Sequence, residues 1–151
     1  MVDYKTLFIF SPCTVLILDP TFKIVEVTNE YLDMVSRTRE SLLGLSIFEA
    51  FPNNPDKSHS GVDILRESLE RVLKHKKTDV IDVIRYDIPI NGVFVERWWE
   101  PSNEPILQDG EIKYIAHRAR DVTDLTAMKA KYSNSLIELA HLTKKISSSG
   151  M

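Results

Sequence analysis

Residues 79–123 read DVIDVIRYDIPI NG VFVERWWEPSNEPILQ DG EIKYIAHRARDVT, and the way this stretch pairs with itself decides the fold. Asn91-Gly92 and Asp109-Gly110 interrupt runs rich in β-branched and aromatic residues, and both central positions of a tight hairpin turn need a positive φ that Asn, Asp and Gly adopt with least strain. The pattern predicts three antiparallel strands, over 79–90, 93–107 and 111–123. A two-residue loop at Asn91-Gly92 sets Ile90 opposite Val93, Ile88 opposite Val95, Tyr86 opposite Arg97 and Ile84 opposite Trp99. That face is the more apolar one, so Ile84, Tyr86, Ile88, Val95 and Trp99 are expected to lie beneath helices, with Phe94 and Trp98 on the outer face. Strict pairing across Asp109-Gly110 would bury Arg118 and Arg120 at a high desolvation cost. A bulge in the Pro101–Pro105 region is therefore expected, returning Ile115, His117 and Ala119 to the interior.

Upstream, TVLILD (14–19) and KIVEV (23–27) flank Asp19-Pro20-Thr21-Phe22 and predict a first hairpin. From Thr28 the period turns helical: Tyr31, Leu32 and Val35 share a face, and TRESLLG (38–44) has a Thr cap and a Gly stop. After a two-proline loop, Ser60 with Asp63 starts a longer helix whose stripe is Val62, Leu65, Leu69, Val72 and Leu73, with Arg66, Glu67, Glu70, Arg71 and Lys74 facing away. Two strands, several helices and three strands make an α+β fold: a five-stranded antiparallel sheet with helices on one face.

Downstream of Asp124, residues Leu125, Met128, Tyr132, Ser135, Leu139, Leu142 and Ile146 alternate three and four apart, a heptad-like seam on an amphipathic C-terminal helix. The seam suits a coiled coil, and a helix folded back on its own sheet is the alternative. The chain thus divides into an N-terminal segment (1–11, helical), a sheet-and-helix domain (12–123), and a coiled-coil-like helix with a frayed tail (124–151).

Composition bounds the function. The 151 residues suit one domain, and 43% apolar content supports a core. Nineteen basic against 22 acidic residues give a charge of −3, without the basic excess that nucleic acid binding needs. A single cysteine, Cys13, makes no internal disulfide, no Cys/His spacing suits a metal, and no stretch reaches bilayer-spanning length, so a cytoplasmic protein with no membrane insertion is expected.

The whole order, closing on Arg120-Asp121-Val122-Thr123-Asp124, resembles a PAS domain, because PAS domains commonly end their last strand in Asp-Ile/Val-Thr-Glu/Asp before a signalling helix. TRESLLGL (38–45) and ERWWEPSNEP (96–105) resemble further family segments, and the similarity covers residues 8–124. It is closest to the PAS branch in front of bacterial histidine kinases and hybrid two-component sensors. The resemblance implies a homodimeric sensory domain that detects a small molecule or partner and relays it through the C-terminal helix to an output module such as a histidine kinase. A constitutive dimerisation or scaffold module without a ligand is the alternative, and a small enzyme a third reading. The chain departs from the family in having Thr28 before Asn29 at the end of the second strand, where many members have Asn, which puts the position of the helix cap in question. No segment resembles the reactive-cysteine motif of the flavin-binding light sensors, and His59 and His75 flank the long helix without matching a haem ligand. Neither cofactor is expected.

Tyr86, Arg97, Trp99 and His117 are the candidate pocket residues, with aromatic walls and a few polar contacts of the kind ligand sites use. Core filling is the plainer reading of the aromatics, as pairing of Arg97 with Asp82 or Glu100 is of the arginine. Asp121, Thr123 and Asp124 form the expected signal junction. Phe94, Trp98, Leu125, Met128, Tyr132, Leu139 and Leu142 are expected at a dimer or outer face. No catalytic constellation or metal site is expected: no nucleophile sits in an elbow pattern, no Gly-rich phosphate loop exists, and Ala140-His141-Leu142-Thr143 lacks the run that phosphoacceptor histidines show.

Overall fold

The computed structural model describes residues 1–56 and 61–149, in two compact units, Met1–Asp121 and Val122–Met151. Ser60, expected to start the long helix, His59 and Gly150 lie outside the described residues.

The first unit opens with a short helix α1 (Tyr4–Ile9), capped by Asp3, and a hairpin of β1 (Val15–Leu18) and β2 (Ile24–Val27). The Asp19 carboxylate organises the turn, accepting from the backbone N–H groups of Thr21 (2.8 Å) and Lys23 (3.1 Å), while Phe22 takes a positive φ of 71°. Helix α2 (Asn29–Val35) starts at Thr28, so the cap sits at the threonine and not at Asn29. Thr28 is fully buried; its hydroxyl donates to the Cys13 carbonyl (2.6 Å) and accepts from the amides of Val15 (3.1 Å) and Tyr31 (3.3 Å), tying the helix to β1. Two one-turn helices follow, α3 (Arg39–Leu42) and α4 (Ile47–Ala50), the latter closed by a capping box between Ser46 and Glu49. Arg39 ties α3 to the end of β2 through Glu26 (3.0 Å), the Val27 carbonyl (2.8 Å) and Asn29 (2.8 Å).

Helix α5 (Gly61–His75) buries Leu65, Ser68, Leu69 and Val72, and its last turn carries Lys74 and His75 at the negative end of the dipole. Arg66, expected to face away, instead lays its guanidinium 4.1 Å from the Phe48 ring centroid.

The strand expected over 79–90 is three short pieces: β3 (Asp79–Val80), β4 (Ile84–Arg85) and β5 (Ile88–Ile90). β5 forms a separate two-stranded sheet with β6 (Val93–Val95), in the expected register of Ile90 with Val93 and Ile88 with Val95. β7 (Trp98–Gln108) and β8 (Glu111–Asp121) are long, and the main antiparallel sheet runs β2-β1-β8-β7-β3, with β4 also on β7. Ile84 faces Trp99, as expected. The bulge falls between Ile106 and Leu107, just past the Pro101–Pro105 region, and it buries Ile115, His117 and Ala119 while Arg118 and Arg120 stay exposed. The core lies between the inner sheet face and α2–α5, around Leu16, Leu18, Val27, Leu42, Leu69 and Ile115.

The second unit carries α6 (Thr123–Ser149), helical through the serines expected to fray. Leu125, Met128, Tyr132, Leu139, Leu142 and Ile146 are all exposed. No helix among the described residues is long and apolar enough to cross a membrane.

Replacing Thr28 with Val keeps the shape but removes the hydroxyl from the buried Val15 and Tyr31 amides. Chemical denaturation should show a loss of about 1–3 kcal/mol, and an unchanged midpoint would mean that this cap does not hold α2 to β1.

Candidate functional site

A cavity of about 40 Å³ lies between the inner sheet face and the helices. Tyr31, Ile47, Phe51 and Leu65 wall it from the helical side, and Ile84, Tyr86, Trp99, Pro101, His117 and Ala119 from the sheet. It has room for about three waters at ~10–15 Å³ each.

Strand periodicity puts these side chains together. Trp99 and Pro101 on β7, and His117 and Ala119 on β8, point to one face because each pair is two residues apart. The structure brings Tyr86, Trp99 and His117 to the cavity. Arg97 is not among its walls. It lies near Asp121, with Nε 3.4 Å from the carboxylate in an ion pair without hydrogen-bond geometry, and its Nη1 donates to the Glu96 carbonyl (3.1 Å). The partner expected for it, Asp82 or Glu100, is replaced by the residue that ends β8. Sequence reading missed Tyr31, which its helical spacing marked only as core, and Phe51, which no sequence pattern singled out.

Two of the aromatic polar tips are already used. The Tyr86 hydroxyl donates to the Phe51 carbonyl, and Trp99 Nε1 donates to the Tyr86 carbonyl (2.7 Å). Burial raises the pKa of both Tyr31 and Tyr86, keeping the phenols protonated. Gly61 opens α5 directly over Tyr86: a Cβ there would come within 2.9 Å of Tyr86 Cδ2 and 3.0 Å of the Arg85 carbonyl oxygen. Below Tyr86, Asp87 is held by Arg85 (3.0 Å) and Asn54 (3.1 Å); burial raises its pKa, but these bonds outweigh it and the net shift is downward.

His117 heads a buried polar row. Asp79, Asn103 and His117 are register neighbours across β3, β7 and β8, and Ser68 lies over them from α5. His117 Nδ1 is 2.7 Å from Asn103 Oδ1, Asn103 Nδ2 donates to Ser68 Oγ (2.9 Å), and Ser68 donates to Asp79 (2.5 Å). Arg71 closes the row with two bonds of 2.9 Å to the Asp79 carboxylate, and this pairing holds that carboxyl below its usual range. Asn103 and Ser68 are fully buried, and burial drops the His117 pKa from 6.5 to about 4.

Elsewhere, Asp124 stands in the first turn of α6, where its charge suits the helix dipole. Phe94 and Trp98, expected as a bare outer patch, are both half-buried, and Trp98 Nε1 donates to Glu96 (3.1 Å). Among the described residues no group of three or more His, Cys, Asp and Glu is placed to hold a metal ion.

Because the folded protein keeps His117 neutral while the unfolded chain protonates it near 6.5, stability is full above that pH. It falls as the pH drops towards 4, where the unfolded state binds the extra proton. Urea unfolding at pH 7 and pH 4.5 should differ by about 2–3 kcal/mol from this group. In His117→Gln that part of the difference should vanish; an equal pH dependence in the variant would show that His117 does not titrate in this window.

The model of the PAS fold family matches residues 10–127. Among solved structures, the wild-type Drosophila melanogaster Cycle PAS-B with bound ethylene glycol is 16% identical over 72% of this chain and 98% of its own, with a TM-score of 0.56. An RNA-binding light-oxygen-voltage receptor is 13% identical over 91% of this chain and 37% of its own, TM-score 0.64. A Rhodobacter sphaeroides LOV protein is 14% identical over 81% and 69%, TM-score 0.59. No curated protein matches the chain. The central last strand, the helices laid across one sheet face and a family match from the approach to β1 into α6 agree: this chain belongs to the PAS fold family.

Proposed function

We propose that the chain is a sensory domain in which a small molecule in the cavity alters β8, and α6 carries the change to an output module such as a histidine kinase. The observation that carries this reading is that one strand serves both ends of the path. β8 supplies His117 and Ala119 to the cavity wall and ends at Asp121, with α6 beginning at Thr123. A second contact, from Arg97 just before β7, pairs with Asp121 at that junction. A movement of His117 is transmitted along four residues of paired backbone to the point where the helix begins.

The size of the cavity bears on the occupant. A cavity that holds benzene measures about 150 Å³, so about 40 Å³ fits neither a flavin ring system nor a porphyrin as it stands. Ethylene glycol, bound to the Cycle PAS-B, is a molecule of suitable size. A bacterial two-component sensor is the setting we propose, in the cytoplasm, with two copies joined through the exposed α6 seam of Leu125, Met128, Tyr132, Leu139 and Leu142. The exposed Tyr4, Leu7 and Phe10 of the N-terminal segment, with Phe94 and Trp98, add apolar surface for the same assembly. The small cavity also favours a second reading, a dimerisation module without a ligand.

In the parent sensor, Asp121→Ala should abolish the response of the output while lowering stability by no more than about 1 kcal/mol, the usual worth of a partly exposed ion pair. Normal signalling by that variant would refute the junction role. Sedimentation velocity over a concentration series should show a dimer that Leu139→Asp with Leu142→Asp converts to monomer; a wild-type monomer throughout would remove the homodimer.

A further inference from the structure

The direction of every hydrogen bond in the buried row is fixed from its far end. Asp79, ionised and clamped by Arg71, can only accept, so the Ser68 hydroxyl must donate to it. Ser68 Oγ is then the acceptor for the Asn103 amide nitrogen, which turns the Asn103 carbonyl oxygen towards His117 Nδ1. A carbonyl oxygen cannot donate, so the single proton of the neutral imidazole sits on Nδ1 and Nε2 keeps a bare lone pair. His117 lines the cavity, and the Asn103 bond is its one hydrogen bond among the described residues. Tyr31, a buried residue also in the cavity wall, makes no hydrogen bond through its hydroxyl among the described residues either. Every other side chain in that wall is apolar or has its polar tip already donated, and none is charged.

The geometry points to a specific ligand class: a small uncharged molecule that donates an O–H or N–H to Nε2 of His117. This rests on the reading of the cavity as a ligand site and narrows it. A carboxylate would place a second acceptor against the lone pair with no cation beside it, since Arg97 lies outside the cavity walls. An ammonium ion could donate but would be desolvated without a counter-charge. A neutral acceptor without a donor leaves Nε2 unpaired. The Tyr31 hydroxyl, able to donate or accept, adds a contact that a hydroxyl-bearing ligand can complete.

Four probes of three heavy atoms each separate these cases: ethanol, acetonitrile, formate and ethylammonium, titrated at pH 7 into the ¹⁵N-histidine-labelled full chain and followed by NMR. The free protein should show His117 protonated on Nδ1. Ethanol should bind saturably, in the millimolar range or weaker for so few atoms, and should move the Nε2 resonance; the other three should bind at least tenfold more weakly. His117→Phe should lose the preference for ethanol over acetonitrile. A proton found on Nε2, or equal or tighter binding of acetonitrile, formate or ethylammonium, overturns the ligand class and leaves the cavity as a binding site. Absence of saturable binding by all four, with unmoved His117 resonances, overturns the cavity reading itself.

Discussion

The constraint on which the structure depends is the position of β8. The last strand of the sheet in sequence is the middle one in space, bonded to β1 along one edge and to β7 along the other. This leaves β2 and β3, consecutive in sequence apart from the helices, at opposite edges. Four inter-strand gaps at ~4.8 Å put those edges about 19 Å apart, so the chain between them has to travel across a sheet face. The fifteen residues of α5 cover a similar span, about 22 Å at 1.5 Å each. The helices sit on one face because the strand order sends them there, and the cavity lies where this crossing meets the inner residues of β7 and β8.

That crossing also accounts for the buried polar row. Asn103 and Ser68 are fully buried, and either alone would be a costly group in a core. Each is satisfied by the next, and the row ends in an ion pair whose arginine is exposed enough to keep its hydration. A partly satisfied row would be worse than an apolar one, so these residues act as a unit that fixes α5 over β3, β7 and β8 in one register. The aromatic bonds work in the same way: Trp99 holds the Tyr86 backbone and Tyr86 holds that of Phe51, so sheet, loop and helix are tied around the cavity.

Much of this was legible in the sequence where short-range chemistry decides it. Asn91-Gly92 fixed the register of Ile88 with Val95, and the cost of burying Arg118 and Arg120 announced a bulge, expected at Pro101–Pro105 and found just past it, between Ile106 and Leu107. Segmentation of residues 79–90 was hidden by their valines and isoleucines, although Asp82, Asp87 and Pro89, poor strand formers, stand within the run. Arg97 was misplaced for a related reason: alternation puts it on the inner face, but a charged side chain at the end of a strand can reach a carboxylate beyond it. Ser68 with Asn103, and Tyr31 with His117, were out of reach altogether. They meet only through helix-on-sheet packing, and no local pattern distinguishes a serine that will bond a buried amide from one that will face water.

The same strand order also governs when the domain can form. β1 reaches its partner β8 only after a loop of about 100 residues closes, and pairings of such sequence separation make folding slow. During synthesis, therefore, β1 and β2 leave the ribosome as a hairpin whose β1 edge waits for β8, and α5 can emerge before the inner sheet face it covers is complete. The sheet and its cavity are finished by the strand that immediately precedes α6, so a nascent chain acquires its cavity and its last helix almost together.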